Sequence, residues 1–203
     1  MTAHSAYCLR LSALLGLCLL LSACATREPR PAGAWLAERE AWFAEHPNWH
    51  ISGRVGLYDG RRGGSLGFSW QAEGDAHRIH LRTTAGGRQW RLWFAPQGAR
   101  LKGSDVGQLA GATPDPLVEQ AVGWPIPVAA LAWWIRGLVP PGGGDVRFAD
   151  DGTLQGVTGA DWTLEYQRFE QIDARLLPTR LEAHSGDYRV RIVIGEWQFE
   201  GPE

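Results

Sequence analysis

Residues 49–70 read WHISGRVGLYDGRRGGSLGFSW, and their apolar side chains fall at every second position. Ile51, Gly53, Val55 and Leu57 alternate with Ser52, Arg54, Gly56 and Tyr58; Leu66, Phe68 and Trp70 alternate with Ser65, Gly67 and Ser69. Successive side chains of a strand point to opposite faces, so the pattern predicts two strands, each with one apolar and one polar face. Asp59-Gly60 through Gly64 supplies a turn between them, and the pair reads as an antiparallel hairpin.

The same period continues outward. After a turn at Glu73-Gly74-Asp75, Ile79 and Leu81 flank His80. After Thr83-Thr84-Ala85-Gly86-Gly87, Trp90, Leu92 and Phe94 are separated by Arg91 and Trp93, and Leu101 sits in a short further strand. The middle breaks the pattern. Pro114 to Val122 and Val128 to Ile135 have helical spacing, separated by Gly123-Trp124-Pro125-Ile126-Pro127 and closed by Gly137 and the run Pro140-Pro141-Gly142-Gly143-Gly144. Alternation then returns in Trp162, Leu164 and Tyr166, in Leu181 and Ala183, in Tyr188, Val190, Ile192 and Ile194, and in Trp197 and Phe199 as a last strand. Ahead of the hairpin, Trp35 to His46 predicts a helix with Trp35, Leu36, Trp42 and Phe43 on one face and Glu38, Arg39 and Glu40 in solvent, ended by Pro47. The expected fold is mainly β: an antiparallel sheet curled into a barrel or half-open barrel, with an N-terminal helix and two short helices, in one domain over residues 35–203.

The N-terminus has a different logic. Arg10 precedes an apolar run from Leu11 to Leu21, and Leu21-Ser22-Ala23-Cys24 follows. A bilayer span needs roughly 20 apolar residues, so this shorter run reads as a signal-peptide core. Leu-Ser-Ala-Cys resembles the lipobox of bacterial lipoproteins, which implies cleavage after residue 23 and lipid on Cys24. Residues 24–34 then form the lipidated N-terminus and a charged, Pro-containing tether. Cys8 and Cys18 fall in the leader, so Cys24 is the sole cysteine of the mature chain and no internal disulfide is expected. Removing residues 1–23 from the 203-residue chain leaves 180, enough for one full core. The leader carries one Arg and no acid, so the formal charge of −2 becomes −3 on its removal. Without a basic excess, no nucleic-acid partner is expected.

No residue set promises catalysis. Gly63-Gly64-Ser65-Leu66-Gly67 matches G-x-S-x-G formally, but a nucleophile elbow needs a strand before the serine and a helix after it. Here a turn precedes it and an alternating strand follows. His46 and His50 are parted by Pro47, and His77 and His80 point to opposite faces of a strand, so neither pair predicts a metal. Asp150-Asp151-Gly152 reads as a turn without calcium-loop spacing. No enzyme activity, metal or cofactor is expected. What remains is apolar surface and eleven Trp, all beyond the leader. Pattern alone leaves two readings open: a filled core, or a curled sheet enclosing a cavity for an apolar ligand.

Gly123, Ile126-Pro127, Leu131, Trp134-Ile135 and Gly137 resemble the G-x-x-[IL]-P-x-x-x-L-x-x-W-[IL]-x-G stretch of the LolB family. Trp49, Ile51 and Gly53-Arg54-Val55, followed by Phe68 and Trp70, look like its first hairpin. Trp162, Tyr166, Leu177-Pro178 and Leu181 look like its late segment, and Trp197 its closing strand. The resemblance implies an incomplete antiparallel β-barrel with helices over an apolar cavity. It also implies a monomer on the inner leaflet of the outer membrane, facing the periplasm, which accepts lipoproteins from the soluble carrier LolA and inserts them into that membrane. Ala25 after Cys24, where Asp would signal inner-membrane retention, agrees with that location. The implied acyl-chain cavity draws on Trp70, Ile79, Leu81, Trp90, Leu92 and Phe94 of the first strands, on Leu131 and Trp134 of the insert, and on Trp162, Leu164, Tyr166, Val190 and Ile192 of the last strands. The resemblance also implies a protruding, membrane-facing loop, which in family members typically carries an exposed leucine. The matching residues here are Thr84, Ala85 and Gly86, with Ala85 in the leucine's place. The competing readings are an anchored module that senses lipid or lipoprotein without transferring it, and a lipid hydrolase built on Ser65.

Overall fold

The hairpin at residues 49–70 forms in the register that alternation demands. Strand β1 (Asn48–Tyr58) pairs antiparallel with β2 (Gly63–Glu73), placing Ile51 opposite Trp70 and Val55 opposite Leu66. The computed structural model describes residues 33–84, 87–159 and 161–199. From β2 the chain meanders through β3 (Ala76–Thr83), β4 (Gln89–Ala95), β5 (Gly98–Gly103) and β6 (Gly107–Gly111). Beyond the insert it meanders again through β7 (Asp145–Phe148), β8 (Leu154–Thr158), β9 (Thr163–Ile172), β10 (Arg175–Ser185) and β11 (Tyr188–Phe199). The two meanders join where β1 pairs with β11, giving one eleven-stranded sheet in the order β6-β5-β4-β3-β2-β1-β11-β10-β9-β8-β7. Its edges, β6 and β7, flank the insert in sequence, so the connection between them crosses the open side of the half-barrel.

That connection holds helices α2 (Pro114–Val122) and α3 (Val128–Trp134), which follow α1 (Ala34–Glu45) in chain order. Pro114 starts α2, where its missing N–H has no intrahelical partner to lose, and Gly123 ends it in a left-handed conformation. Buried Leu117, Val118 and Ala121 of α2 and Val128, Leu131 and Ala132 of α3 face the concave side of the sheet. The Asp115 carboxylate accepts a hydrogen bond at 2.9 Å from the Ala129 N–H and so ties the start of α2 to the first turn of α3.

Three expectations need correction. Trp197 and Phe199 belong to β11 and do not form a separate strand. Ser52 lies opposite Glu196 and Gly53 opposite Ile194, so Gly195 is the extra residue of a β-bulge. A bulge reverses the side-chain phase, which carries burial from the even positions Val190, Ile192 and Ile194 to the odd position Trp197. Gly53, on the partner strand at this bulge, has no room for a side chain: a Cβ there would stand 2.1 Å from the Val193 carbonyl oxygen. Strands β6, β7 and β8 had no clear alternation, being short and at or next to the sheet edges. Finally, Arg39 is not in solvent. It lies with Trp35 and Phe43 on the buried face of α1, while Leu36 and Trp42 are half-buried.

Arg39 stays charged under that helix because two carbonyls and an aromatic face meet its guanidinium. Nε donates to the Arg136 carbonyl and Nη1 to the Leu176 carbonyl at 2.7 Å. The guanidinium also stacks over the Trp35 ring, 4.5 Å from its centroid. Burial lowers its pKa to about 10, which leaves it protonated at neutral pH. Arg39 thereby links α1 to the end of the α3 segment and to β10. Trp35 meets Phe169 edge-on at 5.7 Å, and Trp42 meets Phe199 at 4.9 Å, completing the seat of α1 on the last strands.

Candidate functional site

Between the concave sheet face and the two lid helices lies a small, wholly apolar cavity of about 40 Å³. Val55, Phe68, Trp70, Ile79, Leu81, Leu92 and Ile192 line it from the sheet; Val118 and Val128 and Leu131 close it from α2 and α3, and Ile126 from the loop between them. Strand alternation explains the sheet side, since each of these residues is an inward position of β1, β2, β3, β4 or β11.

The structure divides the thirteen candidate lining residues. Trp70, Ile79, Leu81, Leu92, Leu131 and Ile192 meet at the cavity, and the other seven lie outside its lining. Trp90 faces inward nearer the sheet edge, where its Nε1 donates to Asp105 at 2.9 Å. Phe94 stacks on His77 at 4.5 Å. The Tyr166 hydroxyl donates to the Trp134 carbonyl at 2.8 Å, tying β9 to the end of α3, and burial raises the phenol's pKa. Leu164 and Val190 are buried inward residues of β9 and β11, and Trp162 is half-buried before β9. Sequence reasoning missed Val55, Phe68, Val118, Ile126 and Val128. Period alone put Val55 and Phe68 on the inward face, and Ile126 stands in the quoted motif, so the signal was present. Thr84 is exposed beyond β3, while Ala85, Gly86 and Cys24 lie outside the described residues.

The Gly123–Gly137 motif has a physical reading here. Ile126 and Leu131 line the cavity, Trp134 offers its carbonyl to Tyr166, and Ile135 is fully buried. Gly137 adopts φ +73°, and a Cβ on it would fall 2.5 Å from Arg39 Nε. The motif therefore builds the lid and the seat of Arg39 together.

Beside the cavity, Trp49, Trp70, His77 and Phe94 form an aromatic cluster. Trp70 Nε1 donates to His77 Nδ1 at 3.1 Å, so Nδ1 is the unprotonated nitrogen of a neutral ring. Burial, reinforced by the Arg136 charge, lowers the His77 pKa to about 4. An unfolded imidazole takes its proton near pH 6.5, whereas this one stays neutral down to about pH 4. The unfolded state thus binds more protons in that window, and stability falls as the pH falls through it. The expected loss is up to about 3 kcal/mol. Urea unfolding at a series of pH values checks this: His77→Phe should flatten the decline between pH 6.5 and 4, and an unchanged slope would count against His77 as its source.

Ser65 lies on the outward face of β2, which begins at Gly63, and the next element is β3 rather than a helix. This is not the geometry of a nucleophile elbow. Among the described residues, no group of three or more His, Cys, Asp or Glu could hold a metal ion.

The fold resembles that of a LolA superfamily protein from Nitrosomonas europaea, with a TM-score of 0.55 and 7% identity over 85% of this chain and 94% of that one. Sequence relatives are more specific. The outer-membrane lipoprotein LolB of Chromohalobacter salexigens is 32% identical over 192 residues, covering 91% of this chain and 89% of the relative. That of Xanthomonas oryzae pv. oryzae is 32% identical over 210 residues, covering 93% and 96%. The family model for the outer membrane lipoprotein LolB matches residues 47–197, which span the sheet from β1 to β11 together with the lid. The chain belongs to the LolB family.

Proposed function

We propose that this protein is an outer-membrane lipoprotein, anchored through Cys24 and facing the periplasm, that takes lipoproteins from a LolA-type soluble carrier and releases them into that membrane. The observation that carries the reading is the apolar cavity between the concave sheet and α2–α3. Each buried methylene is worth about 0.8 kcal/mol, so an acyl chain of roughly 15 would leave on the order of 12 kcal/mol exposed in water. Such a chain crosses an aqueous space only in a cavity, and passes between proteins only by direct contact of one cavity with another.

At about 40 Å³ the cavity is far too small for an acyl chain of roughly 15 methylenes. Admission of an acyl chain requires α2 and α3 to lift from the sheet, and the incoming chain then replaces the apolar contacts they give up. The hydrogen bond from the Ala129 N–H to Asp115 ties the two helices to each other. The step is a shift between closed and open forms driven by the differential affinity of cargo for the open one. It needs no covalent chemistry, and the protein acts as a monomer.

Transfer is tested by mixing the purified protein with carrier loaded with a lipoprotein, with and without liposomes. The lipoprotein should leave the carrier for this protein and collect in the liposomes when they are present. Retention by the carrier at every receptor concentration would sink the proposal, and uptake without release to liposomes would favour a sensing module.

A further inference from the structure

The convex face of β1–β5 carries exposed Arg54, Arg78, Arg82, Arg91, Arg100 and Lys102. The one carboxylate on the same strand faces is Glu73, which pairs with Arg78 at 2.8 Å. Among the described residues the other cations have no ion-pair partner. The chain as a whole has a formal charge of −2, so this face concentrates positive charge against the overall balance. Arg91 lies directly across from Lys102. Like charges at paired positions destabilise a sheet, and among the described residues no carboxylate pairs with either.

The adjacent row contains Arg78, Trp93 and Arg100 in register across β3, β4 and β5. Trp93 is 39% exposed, one of the few large apolar side chains in solvent. The three side chains line an open groove of about 460 Å³ at one end of the patch. An indole between guanidiniums on a sheet face is the composition that suits a lipid–water interface, where the ring sits among headgroups and the cations meet phosphates. Arg predominates over Lys, and guanidinium grips a phosphate through two parallel N–H donors.

We propose that this convex face docks on the anionic phospholipid headgroups of the membrane. The proposal rests on the anchoring read at Cys24 and not on lipoprotein transfer. A tether over residues 24–34 reaches at most about 40 Å when extended, so the anchored domain stays within reach of the surface. Convex face down, the lid helices on the opposite side point away from the bilayer, which leaves the cavity open to a soluble donor.

Lys102 is the only lysine in the chain, so amine acetylation followed by mass spectrometry reports on this face alone. The mature lipidated protein is inserted into vesicles of phosphatidylcholine, or of equal parts phosphatidylcholine and phosphatidylglycerol. Acetylation of Lys102 should be about tenfold slower on the anionic vesicles, with the difference abolished at high salt. The double variant Arg82→Gln and Arg91→Gln should lose most of the protection while its circular dichroism is unchanged. Equal rates on both vesicles overturn the proposal, and so does protection that appears only when an acidic carrier protein is added. Transfer of cargo without protection of Lys102 would remove this face and leave the receptor reading standing. Protection without transfer would do the reverse.

Discussion

Gly137→Val should lower the free energy of unfolding by about 3 kcal/mol or more, the range reserved for backbone strain combined with a broken buried network. Gly137 sits at φ +73°, a left-handed conformation that a β-branched residue resists. Its Cβ would lie 2.5 Å from Arg39 Nε and 3.2 Å from the Trp35 ring. Relieving that clash means moving the guanidinium away from the carbonyls of Arg136 and Leu176, and the lost bonds would leave a buried charge unpaired. Gly142 also has φ +73°, but nothing lies within 4 Å of its Cβ position. Gly142→Val therefore carries the backbone strain alone and should be the milder variant. Urea unfolding of both proteins separates the two terms, and equal losses would mean that Arg39 is not held as described.

Val128→Phe should reduce acceptance of lipoprotein from a loaded carrier by at least about tenfold, with a stability change within about 2 kcal/mol. Val128 opens α3 and faces the cavity. A phenyl ring there fills a space of about 40 Å³ and stands where the first methylenes of an acyl chain would enter. Val193→Phe is the control, since Val193 is exposed on the convex face of β11 and should leave acceptance unaltered. Transfer that survives Val128→Phe intact would place the acyl chain elsewhere.

Much of the fold was legible in the order of residues. The hairpin at residues 49–70, the strands through Phe94, the helix Pro114–Val122 and the turn at Asp150-Asp151-Gly152 all rest on period and turn chemistry within a few residues. The cavity was legible in part. Inward positions on β2, β3, β4 and β11 follow from alternation, but a residue's height along a curled sheet does not. Leu164 and Val190 are as apolar and as buried as Leu92, yet the lid covers a different stretch of the sheet.

By itself the sequence determined what is local or compositional. It set the strand periods, the helix spans and the quoted segment that marks the family. Tertiary structure alone decided the rest. Arg39 looks like a solvated helix residue until Arg136, 97 positions away, and Leu176, 137 positions away, bring carbonyls to it. Trp197 and Phe199 look like a separate strand until Gly195 bulges against β1, which reverses the phase within one strand. The charge on the convex face emerges only when pairing sets Arg91 beside Lys102 and Trp93 between Arg78 and Arg100. In each case the deciding energy lies in contacts between residues far apart in the chain, and a local period carries no information about which distant groups will meet.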